Sequence, residues 1–276
     1  MGNNMAQNGH VPVTFTRHGL MYWRRFTSYE FAMDRTDCAI VLQEVLQAAS
    51  AFPIFFKKDQ AGFEPHVILS FLANMPTPFV SRDGRWMAAY VPSDLRCYPF
   101  RAEPVGRDSS DSKSMFRLCV DEASGLVSND PNDETFFDKT GALSPALQEV
   151  QAFLGARAAA REATQALCQM VDKLGLFEPL AAYDGIDLAP GTFAVSAQRL
   201  STLKQAEKLR LVESGALQLI HAHQVSLAHC RWIAQAQQQL RQEKSQGKYT
   251  KNLEISSFLH AMANAPTDDF LGTNGV

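Results

Sequence analysis

A long helical segment in the second half of the chain constrains the fold most. Ser144 followed by Pro145 predicts a helix start, because the hydroxyl can accept a hydrogen bond from the first turn and proline lacks an amide hydrogen that this turn leaves unpaired. The helical pattern runs to about Leu174 and stops at Gly175, a residue type that often ends helices. Such a helix is about 45 Å long, so the remaining elements have to pack along it.

The first half of the chain has the pattern of strands. Short apolar runs bounded by Pro, Gly and Asp predict strands at 38–42, 53–57, 66–72, 101–105 and 115–120. Asp83-Gly84 predicts a hairpin turn, because glycine accepts a positive φ without steric cost. Further helices are expected at 44–51, from 197 or 201 to 214, and at 216–246. We therefore predict an α+β fold, with an N-terminal half built on a mixed or antiparallel sheet and a C-terminal helical half led by one long helix.

The domain organisation follows from these patterns. A chain of 276 residues is near the upper limit for a single hydrophobic core, and we expect one compact body. The predicted parts are an N-terminal arm at 1–24, a sheet-rich half at 25–142, a helical half at 143–246 packed on it as one unit, and a loosely ordered C-terminal tail at 247–276.

Composition and charge exclude some classes of protein. The net charge of −3 lacks the basic excess typical of nucleic-acid binding. No apolar run approaches the roughly 20 residues of a membrane helix, and the first ten residues are polar, so we expect a soluble cytoplasmic protein. The five cysteines are far apart in sequence and are predicted to be buried free thiols: Cys38, Cys97, Cys119, Cys168 and Cys230.

The chain has no motif that identifies a reaction. GxSxG, GxGxxG and GxxxxGK[ST] are all absent, and the acidic connector at 121–143 lacks the ligand spacing of a calcium loop. On a helix, His221 and His223 point about 200° apart and cannot share one metal ion. We predict no catalytic residue, no metal site and no cofactor, and the balance of these observations is against an enzyme without excluding one.

The strongest candidate for a binding surface is the segment 79–100, FVSRDGRWMAAYVPSDLRCYPF. Aromatic rings supply rigid contact area, and arginine can hold a carboxylate or phosphate with two parallel hydrogen bonds. The predicted ligand-binding residues are Arg85, Trp86, Tyr90, Arg96 and Tyr98. In the structural alternative, Trp86 and Phe100 belong to the core while Arg85 and Arg96 pair with Asp83 and Asp94. Tyr90 and Arg96 are favoured as functional because polar groups near prolines often face a cleft.

Several motifs together resemble the SapC family of bacterial proteins. They are FPIFF at 52–56, DGRWMAAYVPSDLRCYPF at 83–100, CVDE at 119–122, LSPALQEVQAFL at 143–154, LGLFEPL at 174–180 and SGALQLIHAHQVSL at 214–227. The chain departs from the usual pattern at Cys97, where a second arginine is common, in the polar insert at 106–114 and in its longer tail. The resemblance supplies no established catalytic residues to carry over.

Three functions stay open at this point. The first is a non-catalytic binding or accessory protein of the SapC type that recognises a peptide or a small acidic ligand, with a protein or peptide as partner. The second, which the resemblance implies through relatives found beside flavin-dependent proteins, is an enzyme or enzyme subunit partnering a flavin-dependent halogenase-like oxidoreductase. The third is a scaffold that associates with itself as a homo-oligomer.

Overall fold

The computed structural model of the chain describes residues 9–107 and 114–245. Its strands are β1 His10–Pro12, β2 Tyr22–Trp23, β3 Asp37–Ala39, β4 Ile54–Asp59, β5 Gly62–Ile68, β6 Phe100–Arg107, β7 Ser114–Asp121, β8 Val127–Ser128, β9 Glu134–Thr135, β10 Phe177–Pro179, β11 Ala182–Tyr183, β12 Ile186–Asp187 and β13 Thr192–Val195. Its helices are α1 Phe15–His18, α2 Val45–Ala49, α3 Ser93–Arg96, α4 Pro145–Lys173, α5 Ala197–Thr202, α6 Gln205–Ser214, α7 Ala216–Ser226 and α8 His229–Ser245. The predicted α+β class is confirmed.

Helix α4 begins and ends as the sequence predicts. The Ser144 hydroxyl accepts a hydrogen bond from the Leu147 amide, and Gly175 adopts a φ of 66° just beyond the last turn. The N-terminal part of α4 contributes Leu154 to one hydrophobic core, whereas its C-terminal part contributes Val171 to another. The helix therefore supports two separate cores along its length.

The larger core lies against an antiparallel five-stranded sheet of order β10-β13-β4-β5-β3. Opposed residues Ile54 and Val67 on β4 and β5 are fully buried and pack with Leu219 and Ile220 of α7. Strands β10 and β13 follow α4 in sequence but pair within this sheet. Strands that precede the long helix in the sequence and strands that follow it therefore form one sheet.

The second core is covered by the antiparallel sheet β1-β7-β6. Trp23 of β2 is 2% exposed there and meets the Phe100 ring edge-on, with 4.8 Å between the ring centroids. Residues 9–24, which the sequence assigned to an N-terminal arm, thus contain β1, α1 and β2. The expectations for residues 1–8, for the central part of the polar insert at 108–113 and for the tail beyond 245 lie outside the described residues.

The single helix predicted at 216–246 is wrong, because the chain bends between α7 and α8. Ser226 is fully buried at the bend. Its hydroxyl donates to the His223 carbonyl at 2.7 Å and accepts from the Ile54 amide at 2.8 Å. A serine that bonds to the preceding turn competes with the helical backbone ladder, and here the bond to strand β4 fixes that geometry.

Two further sequence expectations can be compared with the described residues. All five cysteines are buried and free of disulfides, as predicted. Among residues 9–107 and 114–245, none of the helices combines the length and apolar character that a bilayer crossing requires.

Candidate functional site

The segment 79–100 opens with a tight turn that presents Arg85 and anchors Trp86. Gly84 adopts a φ of 77° in this turn, as the predicted Asp83-Gly84 signal requires. The exposed Arg85 guanidinium donates to Asp83 at 2.7 Å. Half-buried Trp86 packs against the larger core and donates its indole hydrogen to the Tyr90 carbonyl at 2.7 Å. For Arg85, the ion pair of the structural alternative is therefore present.

A buried carboxylate fixes the position of Tyr90. Glu44 is 5% exposed and accepts four hydrogen bonds: from the Tyr90 hydroxyl at 2.6 Å, from the Ser93 amide at 2.8 Å, from the Ser93 hydroxyl at 2.7 Å and from the Val41 amide at 3.0 Å. Burial, and next the hydrogen bond to Glu44, raise the pKa of Tyr90. The phenol therefore keeps its proton at neutral pH and donates a hydrogen bond to the Glu44 carboxylate.

Asp94 is held by two arginines from other parts of the chain. Arg35 contacts one of its carboxylate oxygens at 2.8 Å and Arg157 of α4 contacts the other at 3.0 Å. Arg157 also donates to the Ser93 hydroxyl at 3.0 Å. Helix α3 is thereby fastened to α4, and Asp94 is engaged away from Arg96. The second ion pair of the structural alternative, between Arg96 and Asp94, does not form.

Arg96 instead lies on two aromatic rings. Its guanidinium carbon is 5.9 Å from the centroid of the Tyr90 ring and 5.4 Å from that of Phe153 on α4, and one of its nitrogens is 3.4 Å from the Tyr90 hydroxyl oxygen. The side chain is exposed, and within the described part of the chain it has no carboxylate partner. We call Arg96, Tyr90 and Phe153 the Arg96 site. The two ring contacts therefore distinguish Arg96 from Arg85, which is also exposed but is bound to Asp83.

Tyr98 joins a group of half-buried rings. It stacks on Phe31 with 3.9 Å between centroids and 9° between planes. Phe26 is 5.1 Å from both Phe31 and Tyr29, and Tyr29 is 5.4 Å from Trp86. We call these five residues the ring cluster. It connects Trp86 to Tyr98 through the aromatic residues at 26–31. Burial raises the pKa of Tyr98 as well.

The structure brings some predicted residues together and separates one. Tyr90 and Arg96 are in contact, and Trp86 and Tyr98 belong to one ring cluster, while Arg85 is bound to Asp83 at the tip of the turn. Sequence reasoning missed the supporting residues Glu44, Ser93, Arg157, Phe153 and Phe31. One signal was present: Glu44 interrupts the apolar run from Val41 to Leu46, and an acid in such a run has to find partners on burial.

A second charged cluster lies on the five-stranded sheet. The His66 imidazole is 2.8 Å from Asp37 through Nδ1 and 3.8 Å from Glu64 through Nε2. Lys57 pairs with Asp37, and Arg161 of α4 donates to Glu64 at 2.8 Å. Burial alone would raise the pKa of both carboxyls. Hydrogen bonds from His66, and then from Lys57 or Arg161, outweigh it, so the pKa of Asp37 is lowered and that of Glu64 falls to about 2. Both carboxyl groups are therefore ionised at neutral pH and form ion pairs with the basic side chains around them.

The three histidines of the C-terminal segment are apart from one another. His223 is buried, with Nδ1 at 2.6 Å from the Ile54 carbonyl, and burial lowers its pKa to about 4. His221 is exposed, and His229 contacts the Ala49 carbonyl at 3.0 Å. Over the described ranges, no group of three or more His, Cys, Asp or Glu side chains is arranged to hold a metal ion.

Comparison with known proteins places these features within one family. A family model described as SapC matches residues 13–232, which include most of both cores, the Arg96 site and the ring cluster. No match was found to a curated protein or to a solved structure.

Proposed function

The chain belongs to the SapC family, and we propose that it acts as a non-catalytic binding or accessory protein that recognises a peptide or small acidic ligand. The observation that carries this proposal is the state of Arg96. It is exposed, lies on two aromatic rings and has no carboxylate partner in the described residues. Such a guanidinium is ready to form charge-assisted, two-pronged hydrogen bonds with a carboxylate.

The contrast with neighbouring arginines supports the proposal. Arg35 and Arg157 both bind Asp94, and Arg85 binds Asp83, so each of these three arginines has a carboxylate partner within the fold. Arg96 differs from these three because no carboxylate contacts it within the described residues. Stacking on Tyr90 and Phe153 restricts the rotamers of a long side chain, which lowers the entropy cost of ligand binding.

The base of the Arg96 site is rigid. Tyr90 is held by the buried Glu44, and Ser93 and Asp94 of α3 are held by Arg157 from α4. A ligand therefore meets a preorganised surface rather than one that has to be ordered on binding. The ring cluster adds half-buried aromatic area beside it, of the kind that anchors side chains at protein interfaces. Arg85, Trp86 and Tyr98 remain part of the proposed surface, with Arg96 and Tyr90 at its centre.

We also infer that the protein works in the bacterial cytoplasm with a protein or peptide partner. The five buried free thiols fit a reducing compartment. The alternative of self-association as a homo-oligomer is tested directly by light scattering on the purified chain.

The experiment compares short blocked peptides in matched pairs. Both peptides of a pair carry a fluorescein label. The first has an acidic residue beside phenylalanine, and the second has the corresponding amide residue in place of the acid. Fluorescence anisotropy with the full chain should show preference for the acid. Arg96→Ala should weaken binding of the acidic peptide by about tenfold or more, the loss expected for a charged hydrogen-bonded pair. Glutarate, titrated as an unlabelled competitor, measures how far a small acidic ligand suffices.

The matched control is Arg231→Ala, which removes an exposed arginine of α8 that pairs with Asp184 outside the proposed surface. This variant should bind within about threefold of the wild type, because surface ion pairs contribute little. Equal binding by wild type and Arg96→Ala would reject the proposal. A large fall in the melting temperature of Arg96→Ala would instead assign Arg96 to the fold.

A further inference from the structure

The sequence beyond the described residues contains a segment that fits the chemistry of the Arg96 site. Two acidic residues are adjacent at only three places in the chain: 121–122, 133–134 and 268–269. The first two lie in the fold, where Glu122 binds Arg17 and Glu134 lies 3.7 Å from Arg25. The third, Asp268-Asp269, is followed directly by Phe270 and Leu271.

The charge of this third segment is not offset nearby in sequence. Residues 264–276 read NAPTDDFLGTNGV and contain two aspartates but no lysine or arginine. Arg96, for its part, is a cation to which the described residues offer no carboxylate. The half-buried ring cluster next to it offers contact area for an aromatic and an aliphatic side chain. Charge and apolar character are therefore complementary between 268–271 and the proposed surface.

Distances within the fold show that the segment can reach the site. Trp232 of α8 is 5.0 Å from the Phe79 ring, which is 6.1 Å from Trp86. Trp86 in turn donates to the Tyr90 carbonyl. These steps, with the roughly 20 Å of helix from Trp232 to the end of α8, place Ser245 no more than about 55 Å from Arg96. The 23 positions from Ser245 to Asp268 span about 75 Å when extended.

We propose that residues 268–271 of the same chain bind the Arg96 site and compete with its external ligand. This inference rests on the proposed function and assigns that site an internal regulator: Asp269 or Asp268 pairs with Arg96, and Phe270 packs on the ring cluster. A flexible connection of 23 residues has a root-mean-square span of about 26 Å, so its effective concentration reaches about 1 mM where the site lies within about 40 Å of Ser245. Even a weak segment, with a dissociation constant of about 0.1 mM, would lower the apparent affinity for an external peptide on the order of tenfold.

The test uses full-length variants and one probe, a fluorescein-labelled peptide with the sequence of residues 264–273. The triple variant D268N/D269N/F270A should bind this probe about tenfold more tightly than the wild type, because the internal competitor is lost. The matched control, E254Q/F258A, changes an acid and a phenylalanine in the same C-terminal region and should bind like the wild type. Adding Arg96→Ala to the triple variant should abolish the gain.

Outcomes separate this inference from the proposed function. If the triple variant, the control and the wild type bind the probe equally, the internal competitor is rejected. If the acidic peptides of the previous section still depend on Arg96 in that case, the proposed function stands. A tail-dependent dimer in sedimentation, with release of the site only on dilution, would overturn binding within one chain in favour of binding between two copies.

Discussion

Tyr90 donates its hydroxyl hydrogen to the buried carboxylate of Glu44 across 2.6 Å, while the face of the same ring lies 5.9 Å from the guanidinium carbon of Arg96. One side chain thus joins the interior network to the exposed cation. The hydroxyl sets the orientation of the ring, and the ring sets the position of the guanidinium. Changes to the buried acid should therefore affect both stability and binding, whereas changes to Arg96 should affect binding alone.

Glu44→Ala should lower the free energy of unfolding by about 3 kcal/mol or more, because buried hydroxyl and amide donors lose their common acceptor. Urea denaturation followed by circular dichroism measures the change. Glu213→Ala is the matched control, since Glu213 is exposed on α6, and its effect should stay within about 0.5 kcal/mol. A similar small effect for both variants would contradict the role given to Glu44.

Tyr90→Phe should separate the ring from its hydroxyl. The ring that supports Arg96 is kept, but one hydrogen bond to Glu44 is lost, so stability should fall by about 1–3 kcal/mol, as expected for a hydrogen bond to a charged acceptor. Tyr90→Leu, which also removes the aromatic face, should weaken binding of the acidic peptide further, because the stacking with Arg96 disappears. Equal peptide affinities for the two variants would show that the ring does not position Arg96.

The sequence predicted the long helix because its ends depend on local chemistry alone. A hydroxyl before proline starts α4 and a glycine in the left-handed conformation follows it, and both signals can be read without tertiary information. Strand β5 was predicted at 66–72 but occupies Gly62–Ile68. Its first half contains the buried Glu64, whose charge is offset by Arg161 from α4. A partner 97 positions away leaves no trace in the local pattern.

In the candidate site, too, the local features could be predicted from the sequence and the contacts between distant residues could not. The aromatic and arginine residues of the segment 79–100 were visible because they are close in sequence. The sequence did not show that Asp94 pairs with Arg157 and Arg35 rather than with Arg96. This pairing depends on how α3 docks against α4, and ion pairs between distant elements follow packing rather than spacing. Phe153 and Phe31 were missed for the same reason: each is an ordinary apolar residue within its own segment.

Ser226→Ala should destabilise the protein although serine and alanine are similar in size. The variant leaves the Ile54 amide without its acceptor inside the larger core, which costs about 1–3 kcal/mol. Ser201→Ala is the control, because Ser201 is exposed on α5 and donates only to the Gln198 carbonyl of its own helix. If Ser226→Ala were as stable as the wild type, the bend between α7 and α8 would have another cause.

The contribution of His66 to stability should depend on pH. Burial lowers the pKa of His66, but the hydrogen bonds with Asp37 and then Glu64 outweigh it and raise the pKa above its usual value. A group whose pKa is raised by folding stabilises the protein fully below its unfolded pKa of about 6.5, and the contribution is lost as the pH rises through the folded pKa. Asp37 and Glu64 have lowered pKa values, so their contribution is present above about pH 4 and is lost only in stronger acid.

Because the pKa of His66 is raised and those of Asp37 and Glu64 are lowered, all three groups stabilise the fold together only within a limited pH range. His66→Gln should reduce the free energy of unfolding most between about pH 5 and 6, by about 1–3 kcal/mol, and the difference from the wild type should shrink by pH 9. The groups facing His66 are Asp37 from β3, Lys57 from β4, Glu64 from β5 and Arg161 from α4, so the comparison uses the full chain in urea at each pH. His221→Gln, on the exposed face of α7, is the control and should show no such trend. A His66→Gln effect that grows from pH 6 to pH 9 would mean that the neutral imidazole is the stabilising form.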